Sequence, residues 1–107
     1  MKKYLLVNHY NWDGDWGISQ SLVFNDKEEA IIKVVQLLSY EINDQINNGN
    51  TVVNATNKSN EYLEKEYRKL NNGYLIYWED FGDSIILAKY GHSSINHIEW
   101  TIQEIEI

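Results

Sequence analysis

With 107 residues, of which 43% are hydrophobic, the chain can form one globular domain with a single core and is too short for two. It has no cysteine, which excludes disulfides and thiolate chemistry. A net charge of −7 argues against binding nucleic acid or an anionic membrane through a basic surface. We therefore expect a single domain over residues 1–107.

The beginning of the chain has no long apolar segment. The apolar run 4–7 is far shorter than the ~7–15 apolar residues of a secretory signal or the ~20 of a membrane helix. The sequence therefore predicts a cytoplasmic protein that does not contact membranes.

Two strands separated by a short loop are predicted next. Residues 3–10 are rich in aromatic and β-branched types, and residues 18–24 alternate between apolar and polar types. The loop 11–17 contains two glycines, which adopt a positive φ readily. We therefore expect a β-hairpin, with one face of its second strand formed by Ile18, Gln20, Leu22 and Phe24.

The following segment has the strongest helical pattern in the chain. Asn25 is a suitable N-cap with Glu28 as its capping-box partner, and Gly49 is a suitable residue just after the end. These signals predict a helix over 26–47. Its buried stripe is expected to consist of Ile31, Val34, Val35, Leu38, Ile42 and Ile46.

A polar link, a shorter helix and three strands are predicted for the rest of the chain. In the link 50–59, only residues 51–53 are candidates for a short extended piece. The helix over 60–71 has an apolar side formed by Leu63, Tyr67 and Leu70. The strands are expected at 74–79, 84–90 and 97–107. The last strand changes phase near its end, which predicts a β-bulge at 103–104.

These elements define a fold class. Their order is ββααβββ, and every pair of consecutive strands is joined by a short turn, so the sheet should be mainly antiparallel. Two amphipathic helices need an apolar surface, which one face of the sheet supplies. The sequence therefore predicts an α+β two-layer sandwich, with a five-stranded sheet and both helices on one face.

Two segments begin like known site motifs and then depart from them. The acidic loop 13–15 lies in a segment where an EF-hand calcium loop would need Gly and Glu at the positions of Trp16 and Leu22. The segment 91–94 begins like a hydrolase nucleophile elbow, but Ile95 stands where the second glycine belongs. Both segments are predicted to be turns.

The histidines and the remaining carboxylates form no pattern typical of catalysis or metal binding. His92 and His97 are five residues apart, which is not a usual ligand spacing, and His9 lies in the first strand. An acidic group at a predicted turn consists of Glu79, Asp80 and Asp83. The sequence predicts a protein that is not an enzyme and has no cofactor or metal site.

The two tryptophans of the first loop are the most informative side chains. Large aromatics in a short polar loop either fold back onto the core or form an exposed contact, and both alternatives stay open. If the elements alternate in direction in the predicted order, this loop and the 80–83 turn lie at the same end of the domain. The candidate partner-binding residues at that end are Trp12, Asp13, Asp15, Trp16, Glu79, Asp80, Phe81 and Asp83.

An acidic, aromatic end on an acidic domain suits a basic protein surface, such as that of a nucleic-acid enzyme. We therefore expect a small non-enzymatic inhibitor that does not bind nucleic acid itself. An immunity protein or antitoxin fits this description, and so does a phage inhibitor of host defence of the anti-CRISPR type. The alternative is a small-ligand binding module for a nucleotide-like molecule, with a Tyr- and Trp-lined pocket between the helices and the sheet.

Overall fold

A computed structural model describes residues 1–93 and 96–106, with the backbone alone described for residues 19 and 20. Within these residues there are two helices, α1 (Lys27–Asn47) and α2 (Asn60–Arg68). The six strands are β1 (Lys2–Trp12), β2 (Asp15–Phe24), β3 (Thr51–Asn54), β4 (Leu75–Asp80), β5 (Ser84–Lys89) and β6 (His97–Glu106). The predictions made for the side chain of Gln20 and for Ser94, Ile95 and Ile107 lie outside the described residues.

The six described strands form one mixed sheet in the order β2-β1-β6-β5-β4-β3. Neighbouring strands are antiparallel except β3 and β4, which pair in parallel from Thr51–Leu75 to Asn54–Trp78. The α+β class is confirmed. The predicted order ββααβββ with a mainly antiparallel five-stranded sheet is wrong, because the order is ββαβαβββ and the sheet is mixed.

The additional strand, β3, lies in the segment predicted to be a polar link. It is four residues long, with two exposed and two half-buried side chains. The backbone N–H of Ala55 donates to the carbonyl oxygen of Trp78 at 2.8 Å and continues the ladder beyond β3. Parallel strands are connected by a crossover rather than by a hairpin turn, so the sequence next to β3 contains no turn signal that predicts its pairing with β4.

The two helices lie on opposite faces of the sheet. Val52 and Ile76 belong to the hydrophobic cluster formed with α1, whereas their neighbours Val53 and Leu75 belong to the cluster formed with Leu63 of α2. Successive strand residues face opposite sides, so the two clusters are on opposite faces. The prediction of both helices on one face is wrong, because the β3–α2–β4 crossover carries α2 to the other side.

Side chains cap both helices. The Asp26 carboxylate accepts a hydrogen bond from the backbone N–H of Glu28 at 2.9 Å, so Asp26 rather than Asn25 is the N-cap of α1. The Ser59 hydroxyl accepts from the backbone N–H of Tyr62 at 3.4 Å and caps α2. Each cap satisfies an N–H group that has no partner inside the helix.

The buried stripe of α1 only partly matches the predicted one. Val34 and Leu38 are buried, as predicted, and Ile42 is half-buried. Ile31 and Val35 are 40% and 50% exposed, and the predicted stripe is wrong at these positions. It is also wrong at Ile46, which is exposed. The fully buried residues of the helix are Ala30, Val34, Leu38 and Gln45.

The register of two strands differs from the sequence pattern. The pairing of β1 with β2 shifts between Asn8 and His9, and this irregularity turns Ile18 to the face opposite α1. β6 pairs with β1 in a constant register, so the predicted bulge at 103–104 is absent. Ile105 therefore faces away from α1.

Replacing Val34 or Val35 by aspartate tests the orientation of α1. Val34→Asp should cost several kcal/mol of folding free energy, because a charge enters the apolar cluster. Val35→Asp should cost about 1 kcal/mol or less, because half of that side chain is already in water. Thermal and urea unfolding of the two variants measure this difference, and equal losses would contradict the described helix orientation.

Candidate functional site

The structure places the predicted site residues at two separate ends of the sheet. The β1–β2 turn defines one end, called the hairpin end, with Trp12, Asp13, Asp15 and Trp16. Three successive antiparallel pairings make β4 antiparallel to β1, so the end of β4 points away from the hairpin end. This far end carries the other predicted residues, Glu79, Asp80, Phe81 and Asp83.

Two hydrogen bonds fix these positions. The backbone N–H of Asp13 donates to the Asn96 Oδ1 at 2.8 Å, so the chain before β6 lies at the hairpin end. The backbone N–H of Ile102 donates to the Asp83 carbonyl oxygen at 2.8 Å, and Ile102 pairs with Leu6. Leu6 is six residues before the end of β1, roughly 20 Å at ~3.3 Å per residue. The expected single acidic and aromatic end is therefore not formed.

Two of the three far-end carboxylates have partners within the fold. Asp80 Oδ1 accepts from the backbone N–H of Gly82 at 2.8 Å and stabilises the turn. Asp83 forms an ion pair with Lys27 at 3.3 Å. The two other predicted residues at this end differ in burial: Glu79 is half-buried and Phe81 is exposed.

Trp12 and Trp16 lie on opposite faces of the hairpin. Trp12 pairs with Asp15 and packs, half-buried, against the cluster under α1. Trp16 pairs with Asn11 and is 78% exposed on the other face. Of the two alternatives left open by the sequence, core packing holds for Trp12 and exposure holds for Trp16.

A cleft of about 450 Å³ opens between the C-terminal half of α1 and the hairpin. Its volume lies within the ~300–1,000 Å³ range that is common for ligand sites. It combines two aromatic side chains from β1 with three carboxylates. We call it the acidic cleft, and its lining residues are Asn8, Tyr10, Trp12, Asp15, Glu41, Asp44, Gln45 and Ile98.

The cleft forms where the sheet-facing side of α1 changes from apolar to polar. Up to Leu38 the helix buries apolar side chains, and beyond it the buried position is Gln45, which is 6% exposed. On β1 the change is mirrored by Asn8, which is 9% exposed and follows the buried Leu6 on the same face. Beyond this level the apolar residues of β1 and α1 that pack against the cluster are only half-buried, and the cleft opens beside them; they are Tyr10, Trp12 and Ile42.

Gln45 is held in one orientation by its neighbours. The backbone N–H of Tyr74 donates to Asn50 Oδ1 at 2.9 Å, which leaves the Asn50 Nδ2 as the donor to Gln45 Oε1 at 2.8 Å. The amide group Nε2 of Gln45 has no hydrogen-bond partner among the described residues. Among the described residues, every side-chain nitrogen or oxygen that solvent cannot reach has a hydrogen-bond partner. The unpartnered N–H₂ group of Gln45 is therefore accessible to solvent, from the clefts that Gln45 lines.

The carboxylate of Glu41 is held in an unfavourable environment. Desolvation by burial, with a further contribution from the negative charge of Asp44, raises the pKa of Glu41 above its ordinary value. Asp44 lies in the last turn of α1, where the helix dipole favours cations, and that turn contains no basic residue. Among the described residues, Asp15, Glu41 and Asp44 form no ion pair.

One cation lies close to this region. Lys89 lines a second cleft, which shares Trp12, Asp44 and Gln45 with the acidic cleft. Its ammonium group lies over the ring of Tyr74, 3.9 Å from the ring centroid. The lysine charge is therefore placed on an aromatic ring and does not pair with the carboxylates.

The other candidate groups do not assemble into a chemical site. His9 and His97 lie on neighbouring strands and on the same face, with Glu99 opposite His9. The Nδ1 atom of His97 lies 2.9 Å from the carbonyl oxygen of Ser93, while His92 is exposed. In the portion of the chain that the structure describes, no three His, Asp or Glu side chains are arranged to hold a metal ion.

The acidic cleft contains residues that the sequence reading did not select. These are Asn8, Tyr10, Glu41, Asp44 and Gln45. The signal for two of them was present, because Glu41 and Gln45 continue the three- and four-residue spacing of Ala30, Val34 and Leu38. Polar residues that continue a buried helical stripe indicate a polar site at the helix–sheet interface.

Comparison with protein-family models, curated proteins and solved structures finds no match for this chain. Over the residues that the structure describes, neither helix is long and apolar enough to cross a membrane.

Neutralising Glu41 should stabilise the fold at neutral pH. A carboxyl whose folded-state pKa is raised destabilises the fold increasingly as pH rises from its unfolded-state pKa to its folded-state pKa, and the full penalty remains above that. Below the unfolded-state pKa both states are protonated and the penalty is absent. Glu41→Gln should therefore raise the thermal midpoint at pH 7, and its advantage should shrink towards about pH 4.

The matched control is Glu29→Gln, which removes the same charge from the first turn of α1, where the helix dipole favours an acid. It should leave the midpoint unchanged or lower it slightly. A Glu41→Gln variant that is less stable than the wild type at neutral pH would show that the ionised carboxylate is stabilised by a contact within the fold.

Proposed function

We propose that this protein is a small, acidic, non-enzymatic inhibitor that binds a basic surface of a protein partner, one that handles nucleic acid, through its hairpin end. The observation that carries the proposal is the group of unpaired carboxylates around the aromatic cleft. Asp15, Glu41 and Asp44 form no ion pair among the described residues, although two of them lie on one helix three residues apart. Such an arrangement costs folding free energy and is relieved by an external cation.

The surroundings of the cleft support a protein partner. Asp13 lines the neighbouring cleft at the hairpin turn, and Trp16 exposes 78% of its surface on the opposite face of the same hairpin. An exposed tryptophan next to acidic side chains is typical of an interface in which an aromatic anchor is surrounded by charge. Acidic groups at such a rim accelerate association with a basic partner. A basic channel for nucleic-acid phosphates is a surface of this kind.

Two biological settings fit this proposal equally well. In one, the protein is an immunity protein or antitoxin that neutralises a toxin. In the other, it is a phage inhibitor of host defence, of the anti-CRISPR type. Both require an acidic protein that occupies the site of a nucleic acid on a basic surface. The neighbouring genes distinguish these settings.

A small-ligand binding module is the second candidate, and the position of the cleft between α1 and the sheet favours it. The cleft is lined by Tyr10 and Trp12, as that hypothesis expects. Its three carboxylates repel a phosphate, however, so a nucleotide is a poor fit and a neutral or cationic molecule is a better one. Calorimetric titration with nucleotides is expected to show no binding.

Two triple variants with the same change in net charge test where the partner binds. Asp15→Asn, Glu41→Gln and Asp44→Asn together neutralise the acidic cleft, whereas Glu79→Gln, Asp80→Asn and Asp83→Asn together neutralise the far end. Partners are captured from the native host, identified by mass spectrometry, and measured by surface plasmon resonance at two salt concentrations. We expect the cleft variant to lose binding and the far-end variant to retain it.

The identity and activity of the captured protein complete the test. It should have a basic nucleic-acid-binding surface, its activity should be inhibited by the wild type, and the cleft variant should not inhibit it. Binding that survives in the cleft variant but is lost in the far-end variant would place the interface at the 80–83 turn. Binding that survives in both variants would contradict recognition through acidic side chains.

A further inference from the structure

We propose that the acidic cleft binds an arginine side chain of the partner together with a carbonyl oxygen of the partner's main chain. This inference rests on the proposed function and adds the residue type and the site of its recognition. It follows from three features of the cleft: two aromatic side chains, three carboxylates without a cation, and one buried amide group that still has hydrogen atoms to donate.

The aromatic and acidic side chains together select a planar cation. Tyr10 and Trp12 supply aromatic rings on the side of β1, and Glu41 and Asp44 supply carboxylates on the side of α1. A guanidinium group stacks on aromatic rings and donates two parallel hydrogen bonds to a carboxylate. An ammonium group is more strongly hydrated and cannot donate in this planar fashion, so lysine should bind less well than arginine.

The arrangement of the carboxylates favours an organic cation over a metal ion. Within the described residues no three acidic or histidine side chains are close enough together to hold a metal. The cleft, at about 450 Å³, distributes its charges around a space that is much larger than an ion coordinated at about 2.0–2.6 Å needs. A guanidinium at the end of a flexible chain can reach two of these carboxylates at once.

The amide group of Gln45 points to the second part of the ligand. Gln45 is 94% buried, as its exposed fraction is 6%, and its Oε1 is occupied by Asn50 Nδ2. Its Nε2 has no partner among the described residues and is accessible from the two clefts that Gln45 lines, one of which is the acidic cleft. A donor of this kind requires an acceptor, which a guanidinium does not have. A main-chain carbonyl next to the arginine supplies one, so a peptide fits better than a free cation.

The test uses a capped five-residue peptide with one central arginine between glycines. Matched peptides carry lysine, or citrulline, which has nearly the shape of arginine without its charge. Binding is followed by NMR through the indole N–H signals of the tryptophans and the side-chain amide signals of glutamine. We expect the strongest binding for arginine, weaker binding for lysine and none for citrulline, with shifts at Trp12 and Gln45 rather than at Trp16.

Variants assign the two parts of the ligand. Glu41→Gln with Asp44→Asn should weaken the arginine peptide about tenfold or more, the scale of one lost charged hydrogen bond, while Glu29→Gln should not change its affinity. Ethylguanidinium, which has no carbonyl, should bind less tightly than the peptide. The advantage of the peptide should disappear in Gln45→Met, whose spectrum shows whether the fold is retained.

The outcomes separate this inference from the proposed function. If the cleft triple variant loses the protein partner but the arginine peptide does not bind, or binds no better than citrulline, the arginine proposal is wrong and the proposed function stands. If the peptide binds at Trp12 as expected while the partner tolerates the cleft variant, the proposed function is wrong. Peptide shifts confined to Trp16 and the face opposite α1 would also overturn the arginine proposal.

Discussion

The packing of α1 against the sheet is the constraint on which the fold and the candidate site both depend. Up to Leu38 the helix buries apolar side chains against β1, β4, β5 and β6, and this contact forms the main hydrophobic cluster. Beyond Leu38 the buried position of the helix is Gln45, with Ile42 half-buried against the cluster, and Asn8 provides a polar position on β1. The apolar half holds the domain together, and the polar half leaves a cleft whose charges the fold does not neutralise. In this cleft, burial and the negative charge of Asp44 raise the pKa of Glu41.

Most elements could be predicted from the sequence because their signals are local. The helical spacing of α1 and the turns of the antiparallel hairpins lie within a few residues of the elements that they define. β3 has no such signal, since its parallel partner β4 lies beyond a helix. That one missing strand had large consequences. It changed the sheet from antiparallel to mixed, placed α2 on the other face and reversed the direction assigned to β4.

The same error explains how much of the candidate site was accessible from sequence. The hairpin residues Trp12, Asp13, Asp15 and Trp16 were grouped correctly, because they are neighbours in the chain. The 80–83 turn was grouped with them by the assumed direction of β4 and lies at the far end instead. Glu41, Asp44 and Gln45 are close to the hairpin only through the packing of α1 on β1. Selecting them from the sequence requires knowing which residues of the helix face the sheet, to within one residue. The predicted buried stripe included three residues that are exposed: Ile31, Val35 and Ile46.

We propose that the acidic cleft holds uncompensated negative charge for a cation supplied by a partner. The most direct measurement is an NMR titration of the Glu41 carboxyl, with and without a saturating arginine peptide. In the free protein we expect a pKa above the ordinary glutamate value, because of burial and the charge of Asp44. In the complex we expect a lower pKa, because a bound cation favours the ionised form. An ordinary or lowered pKa in the free protein, or one that the bound peptide leaves unchanged, would contradict the account.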